Sequence, residues 1–148
     1  MDELDRRIVG ALARDGRLSV ADLAAEVSLS ASATSDRLRR LRATGVITGF
    51  TVVLDPEAID RPIDAVIEIK LDAERGFDSL DEEIAELDDV IDAMHLTGSF
   101  DYLLRVRTRS ISGIEELIKY LKNELGVRET STRIVLRTID NFPRAPLP

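Results

Sequence analysis

The side chains best equipped for recognition chemistry lie between Leu29 and Gly45, where the chain reads L-S-A-S-A-T-S-D-R-L-R-R-L-R-A-T-G. Ser30 can cap a helix by accepting from the free amides of its first turn, and Gly45 suits the position just past the helix end. The span makes a helix of about three turns. Leu38 and Leu41, three apart, would look inward, while Ser32, Ala33, Asp36, Arg37 and Arg40 share another face at i, i+3, i+4, i+7 spacing. Small hydrogen-bonding residues come first and arginines follow. A helix that enters the DNA major groove by its N-terminal half wants this order, because short side chains permit close approach and guanidinium forks reach guanine edges or phosphates. Ser30, Ser32, Ala33, Thr34, Asp36, Arg37, Arg39 and Arg40 are therefore the candidate DNA-binding residues. Taken alone, the segment equally fits a solvated, arginine-rich amphipathic helix, so its neighbours have to decide.

Those neighbours are two shorter helices. Leu4, Ile8, Ala11 and Leu12 form one stripe of a helix ending near Arg14, and Asp15-Gly16 marks a turn. Ser19 is a second N-cap, with Asp22 three residues on in a capping-box-like arrangement. Val20, Leu23, Ala24 and Val27 supply the buried stripe of the second helix, and Ala24 and Ala25 suit a close crossing with the third. Ser28 and Leu29 make a tight turn into the arginine-bearing helix, which completes a helix-turn-helix pattern. A three-helix bundle with no DNA role is the alternative, but the third helix starts with more exposed polar groups than packing requires. After Gly45 the run V-I-T-G-F-T-V-V-L is rich in β-branched and aromatic residues and predicts an exit strand, ended by Asp55-Pro56. Residues 1–54 thus read as a DNA-binding domain with its exit strand, and 55–62 as a linker.

A net charge of -8 over 148 residues opposes nucleic-acid binding until it is divided along the chain. Residues 1–50 hold eight arginines against seven carboxylates, a net of +1, which leaves -9 on the remainder. Acidity belongs to the second half, and the first half concentrates its positive charge on the third helix. An acidic companion domain would weaken nonspecific DNA affinity, so dimeric avidity would be needed. No run of 18 apolar residues and no basic-then-apolar start point to a membrane or to secretion, and the cytoplasm is the expected compartment. With no cysteine there is no disulfide, thiolate metal site or cysteine nucleophile; with one histidine there is no two-histidine mechanism in one chain. No cofactor or metal is expected.

The second half alternates strands and helices. From Ile63 to Leu71, Ala65, Ile67, Ile69 and Leu71 take one face and Asp64, Val66, Glu68 and Lys70 the other. Phe77, Leu80, Ile84 and Leu87 form the stripe of a helix whose opposite side is acidic, most simply a solvated face. Val90 to Thr97 and Tyr102 to Thr108 read as strands about a Gly98-Ser99 turn. Ile111, Ile114, Ile118, Leu121 and Leu125 give a second helix closed by Gly126, and Val127 to Ile139 a last strand. The order strand, helix, strand, strand, helix, strand over 63–140 is that of a ferredoxin-like βαββαβ sandwich, followed by an irregular tail at 141–148. The fold class is α+β: a winged-type helix-turn-helix, then this sandwich. Both helices would cover one face of the sheet. The other carries Val66, Leu103 and Val135 among Glu68, Lys70, Arg105, Arg107, Arg133 and Arg137, an apolar centre with charged fringe that a second subunit could cover. Cross-strand ion pairs on a solvated face are the simpler alternative. His95 alternates with Ile91 and Ala93 and so reads as a partly buried structural histidine facing the helices.

Taken in order, L-D-R-R-I at 4–8, D-G-R-L-S at 15–19, L-S-A-S-A-T-S-D-R-L-R-R-L at 29–41, G-V-I-T-G-F at 45–50 and G-S-F-D-Y-L-L at 98–104 resemble the Lrp/AsnC (leucine-responsive/asparagine, "feast/famine") transcription factors along nearly the whole chain. The resemblance implies a DNA-binding domain and a ferredoxin-like domain that dimerises, assembles further into octamers or open helices, and binds amino acids between dimers. The partners it implies are double-stranded DNA, an amino-acid effector and further copies of the chain. One departure is that Ala31 and Ala33 stand where the family often has prolines, so its operator preference does not transfer. By the same resemblance the effector pocket lies near the Gly98–Tyr102 turn. Gly98 would let backbone amides approach a carboxylate, Ser99 and Tyr102 flank it, and Asp101 could orient the turn or meet an ammonium. Thr130 and Thr132 match family positions that line the site. The residues leave simpler readings open: Gly98 supplying positive φ, Asp101 accepting turn amides, the threonines forming strand. Two other functions compete with an effector-modulated regulator. One is an effector-independent architectural DNA-binding protein. The other is an enzyme like the sirohaem decarboxylases, which would want histidine near a tetrapyrrole where this chain has only His95.

Overall fold

The computed structural model describes residues 1–72 and 78–139, which form two units, Met1–Val52 with Ile139, and Val53–Thr138. The first unit is helical. Helix α1 (Glu3–Arg14) opens on a full capping box, in which Asp2 accepts from the Asp5 amide and Asp5 from the Asp2 amide. Helix α2 (Val20–Val27) is capped by Ser19, whose oxygen accepts from the Asp22 amide while its hydroxyl donates to the Asp22 carboxylate at 2.6 Å. Helix α3 (Ala31–Ala43) starts at Ser30 and ends before Gly45, which takes a φ of +73°. Ile8, Ala11, Leu23, Val27 and Leu41 form the core where the three helices meet, with Leu12, Leu18, Leu29 and Ile47 around it.

Three expectations for this unit need correction. Val20 is 37% exposed, because the first residue after the cap lies at the helix end outside the crossing. Ala25 is exposed as well, and of the two alanines only Ala24 is buried. The exit strand after Gly45 does not form: residues 46–54 belong to no strand. A strand exists only as a hydrogen-bonded ladder, and among the described residues no segment of this unit offers a second strand. Val52 and Val53 consequently stay 74% and 70% exposed.

The second unit is a four-stranded antiparallel sheet in the order β2-β3-β1-β4, built from β1 (Ile63–Leu71), β2 (Val90–His95), β3 (Tyr102–Thr108) and β4 (Val127–Ile134). Helices α4 (Asp78–Ala85) and α5 (Ile111–Asn123) follow β1 and β3. Ala65, Ile67, Ile69 and Leu71 of β1, with Leu104 and Val106 of β3, face Leu80 and Ile84 of α4 and Ile114, Leu117 and Leu121 of α5. Leu117 is buried in this core, whereas Ile111, expected there, is 52% exposed at the helix start. Strand β4 stops at Ile134, well short of Ile139, because Ala65 pairs with Ile134 and β1 begins at Ile63. The Val135 amide still donates to the Asp64 carbonyl at 2.8 Å, one residue from the start of β1. Phe77 of the α4 stripe and the tail at 141–148 lie outside the described residues.

On the sheet face away from the helices, Val66, Leu103 and Val135 are half-buried. Arg105 clasps Asp64 by Nε and Nη2 at 3.1 and 2.7 Å, and Arg133 holds Glu68 at 2.7 Å. Among the described residues no helix is long and apolar enough to cross a membrane, and no group of three acidic, histidine or cysteine side chains could hold a metal ion.

Candidate nucleic-acid interface and effector site

Along α3 the candidate DNA-binding residues divide into three groups. Ser30 and Ser32 are exposed, and their hydroxyls lie 3.2 Å apart at the helix start, where Ser30 also accepts from the Ala33 amide. Asp36 and Arg39 are exposed and pair with each other at 2.9 Å, side chains 69% and 74% accessible. Ala33 is half-buried beside them.

Thr34 is a correction. It is fully buried, and its hydroxyl donates to the Ser30 carbonyl at 3.0 Å, because its place on the helix turns toward α1 and α2. It cannot touch DNA while the core is intact.

Arg37 and Arg40 form the third group, and both reach α1. Arg37 Nη1 donates to Asp2 at 2.6 Å and to Asp5 at 2.8 Å. Arg40 Nη2 meets both oxygens of Asp5, at 3.0 and 2.9 Å. Burial pushes the Asp5 carboxyl up, but the Asp2 amide, Arg37 and Arg40 outweigh it and hold the group below the ordinary carboxylate range. Arg37 lowers Asp2 likewise, and the two aspartates raise Arg37. Sequence reasoning missed these carboxylates, although a signal existed: Asp2 and Asp5 stand three apart, as do Arg37 and Arg40. It also missed Arg42, an exposed side chain lying 5.9 Å over the Phe50 ring.

In the sandwich, the Gly98–Tyr102 turn is anchored by backbone and by one side chain. The Leu96 amide donates to the Asp101 carbonyl at 2.7 Å, and the Asp101 amide to the Ile69 carbonyl at 2.9 Å. Asp101 Oδ2 accepts from the Leu71 amide at 2.8 Å. Gly98 has a φ of +128° with open space where a Cβ would stand, so its backbone angle, not crowding, calls for glycine. Ser99 is exposed at the tip.

Tyr102 is 3% exposed, donates its hydroxyl to Asp81 at 2.6 Å and stacks on His95 with 4.7 Å between ring centres. His95 faces the helix side as expected but is exposed, because β2 is an edge strand. Ile69 of β1 pairs with Tyr102 on one side and Thr130 on the other, and Ile67 pairs with Thr132. The turn's last residue and both threonines therefore share the helix-side face, Thr130 half-buried and Thr132 exposed at the β4 edge. A cleft of about 370 Å³ lies at the opposite edge, between α4 and β2, lined by Ile84, Val90, Ile91 and Ala93 with Asp81 and Asp92 at its polar side; Tyr102 and His95 border it. The threonines do not line it.

A capped helix-turn-helix joined to a βαββαβ sandwich defines a DNA-reading regulator with an appended sensing domain. Residues 1–48 match a winged helix-turn-helix DNA-binding family, and residues 64–144 match the Lrp/AsnC ligand binding domain. The chain belongs to the Lrp/AsnC family of transcriptional regulators. It is similar to the leucine-responsive regulatory protein of Escherichia coli K12, with 32% identity over 97% of this chain and 90% of that one. Its fold superposes on a feast or famine regulatory protein of Mycobacterium tuberculosis solved with L-methionine, at a TM-score of 0.91 with 31% identity and 99% of each chain covered. A Neisseria meningitidis transcriptional regulator solved as its L-Met complex gives a TM-score of 0.88 at 26% identity, covering 99% of this chain and 97% of that one.

Proposed function

We propose that this regulator reads double-stranded DNA with α3 from a homodimeric or larger assembly, such as an octamer, and that an amino acid bound beside the Gly98–Tyr102 turn changes that assembly. The observation that carries the reading is the cross-strand row Tyr102, Ile69, Thr130 with the neighbouring pair Ile67, Thr132, which puts the last residue of an anchored glycine turn and two threonines on one sheet face. An amino acid offers a carboxylate for the turn amides and the threonine hydroxyls, and an ammonium for Asp101 Oδ1, since Oδ2 is taken by Leu71. The two structural neighbours solved with L-methionine support an amino acid as the effector class. The outer sheet face, with Val66 and Leu103 among paired charges, is the surface a second copy would cover. Acting on chromosomal DNA places the protein in the cytoplasm. An effector that binds one assembly better than another shifts the spacing of the α3 helices, and with it the avidity for paired sites.

Light scattering on the pure protein with each of the twenty amino acids, run beside gel shifts, tests this. One amino acid should change both assembly mass and DNA affinity, and at a hundredfold excess over its Kd should stabilise the protein by about 2.7 kcal/mol. Asp101→Ala should lose that thermal shift. A fixed assembly whose DNA affinity ignores all twenty would overturn the effector reading.

A further inference from the structure

The clasp between α1 and α3 does more than join two helices. Asp5 is 2% exposed, and its carboxylate takes hydrogen bonds from the Asp2 amide, Arg37 Nη1 and Arg40 Nη2. The capping box sets its position locally, so the acceptor is in place wherever α1 is folded. The two arginines then differ. Arg37 shares one nitrogen between two aspartates and is 24% exposed, so much of its charge is spent inside the unit. Arg40 is 56% exposed and uses only Nη2; its Nε and Nη1 have no partner among the described residues. A guanidinium is planar, so pinning its Nη2 on a single buried carboxylate while the side-chain stem holds the Nε end narrows the directions its remaining edge can take. Arg39, by contrast, is 74% exposed and tied only to the exposed Asp36. In a major-groove helix the N-terminal residues meet base edges and later ones the phosphates, and Arg40 lies in the last turn of α3.

We propose that Asp5 is a positioning residue for DNA recognition: it holds Arg40 as a pre-oriented fork whose free edge grips a DNA phosphate and so fixes the register of α3 in the groove. Asp5 touches no DNA itself. Its charge, with that of Asp2, also cancels much of the α3 field, so affinity depends on registered contacts rather than on bulk attraction.

The test compares the full-length protein on a duplex recovered by selection from random DNA and on a random-sequence duplex of equal length, by fluorescence anisotropy over a range of KCl. Asp5→Asn should bind the selected duplex about tenfold more weakly while binding the random duplex as well as or better than before, so that the ratio between them collapses. Arg40→Ala should lose a similar factor on the selected duplex and lower the salt slope by about 1. The double variant should be no worse than Arg40→Ala, because Asp5 acts through Arg40. An unchanged ratio in Asp5→Asn overturns the proposal, whether both affinities rise, as for a carboxylate that only screens, or both fall, as for one that only holds the fold. Should Asp5→Asn unfold, Arg40→Lys decides: it keeps the charge without the fork and should lose as much as Arg40→Ala, whereas full affinity would overturn the proposal. Wild-type protein that binds the two duplexes equally would overturn it as well.

Discussion

Asp64 shows how one carboxylate can organise a surface. Burial pushes its carboxyl up, but the Arg105 guanidinium, with Arg107 3.5 Å away, brings it below the ordinary carboxylate range. Its side chain is 15% exposed, so the pair is partly screened and worth less than a fully buried one. A group whose folded pKa is depressed contributes stability above its unfolded pKa and loses it as pH falls through the folded value. Asp64→Asn should therefore cost about 1–2 kcal/mol at pH 7. In urea titrations the gap to wild type should hold from pH 7 down to about 5 and close below about 4. A gap that persisted at pH 2 would mean that the loss comes from packing rather than charge.

At the scale of the element, the turn between α2 and α3 sets the angle at which α3 leaves the core. Ser28 takes a φ of +60°, a left-handed conformation that costs a residue with a Cβ energy which glycine avoids. It is exposed and accepts no packing load, and its amide closes α2 on the Ala24 and Ala25 carbonyls. Ser28→Gly should stabilise the helical unit by about 0.5–1 kcal/mol, the relief of strain exceeding the added freedom of the unfolded chain. Denaturant unfolding at constant m would show it, and a fall in midpoint would mean that the serine side chain contributes to the turn.

For the whole molecule, the charge division matters more than the total. The first 50 residues carry +1 and the remainder -9, so the acidic second half repels the polyanion that the helix-turn-helix binds. Joining two reading helices through the outer sheet face would offset that repulsion by avidity. Val66 sits at the centre of that face, opposite Arg105 of β3 and Arg133 of β4. Val66→Lys should put an unpaired ammonium into the proposed dimer contact, raise the dimer Kd by about a hundredfold and leave the monomer fold intact. Light scattering with circular dichroism checks both halves, and an undiminished dimer would move the interface elsewhere.

How much of this was legible beforehand follows the range of the interactions. Caps, stripes and alternation act within a few residues, so Ser19, Ser30 and Gly45 marked helix ends, and Ala65, Ile67 and Ile69 marked a buried strand face, from their spacing alone. The order of elements was enough for a βαββαβ sheet, because short connections leave few topologies open. The same local rules went wrong where a residue's state depends on something distant. The run after Gly45 has strand composition but no partner strand among the described residues, and β4 ends within two residues of the start of β1. Thr34 looks like a surface hydroxyl in sequence, yet folding buries it completely. Arg37 and Arg40 look like free cations on a helix face until folding brings Asp2 and Asp5 to them across more than thirty residues of chain. Periodicity, which is local, determined the elements and their faces, whereas only the tertiary structure, by bringing distant charges and strand edges together, decided which of those faces keeps its donors for a partner.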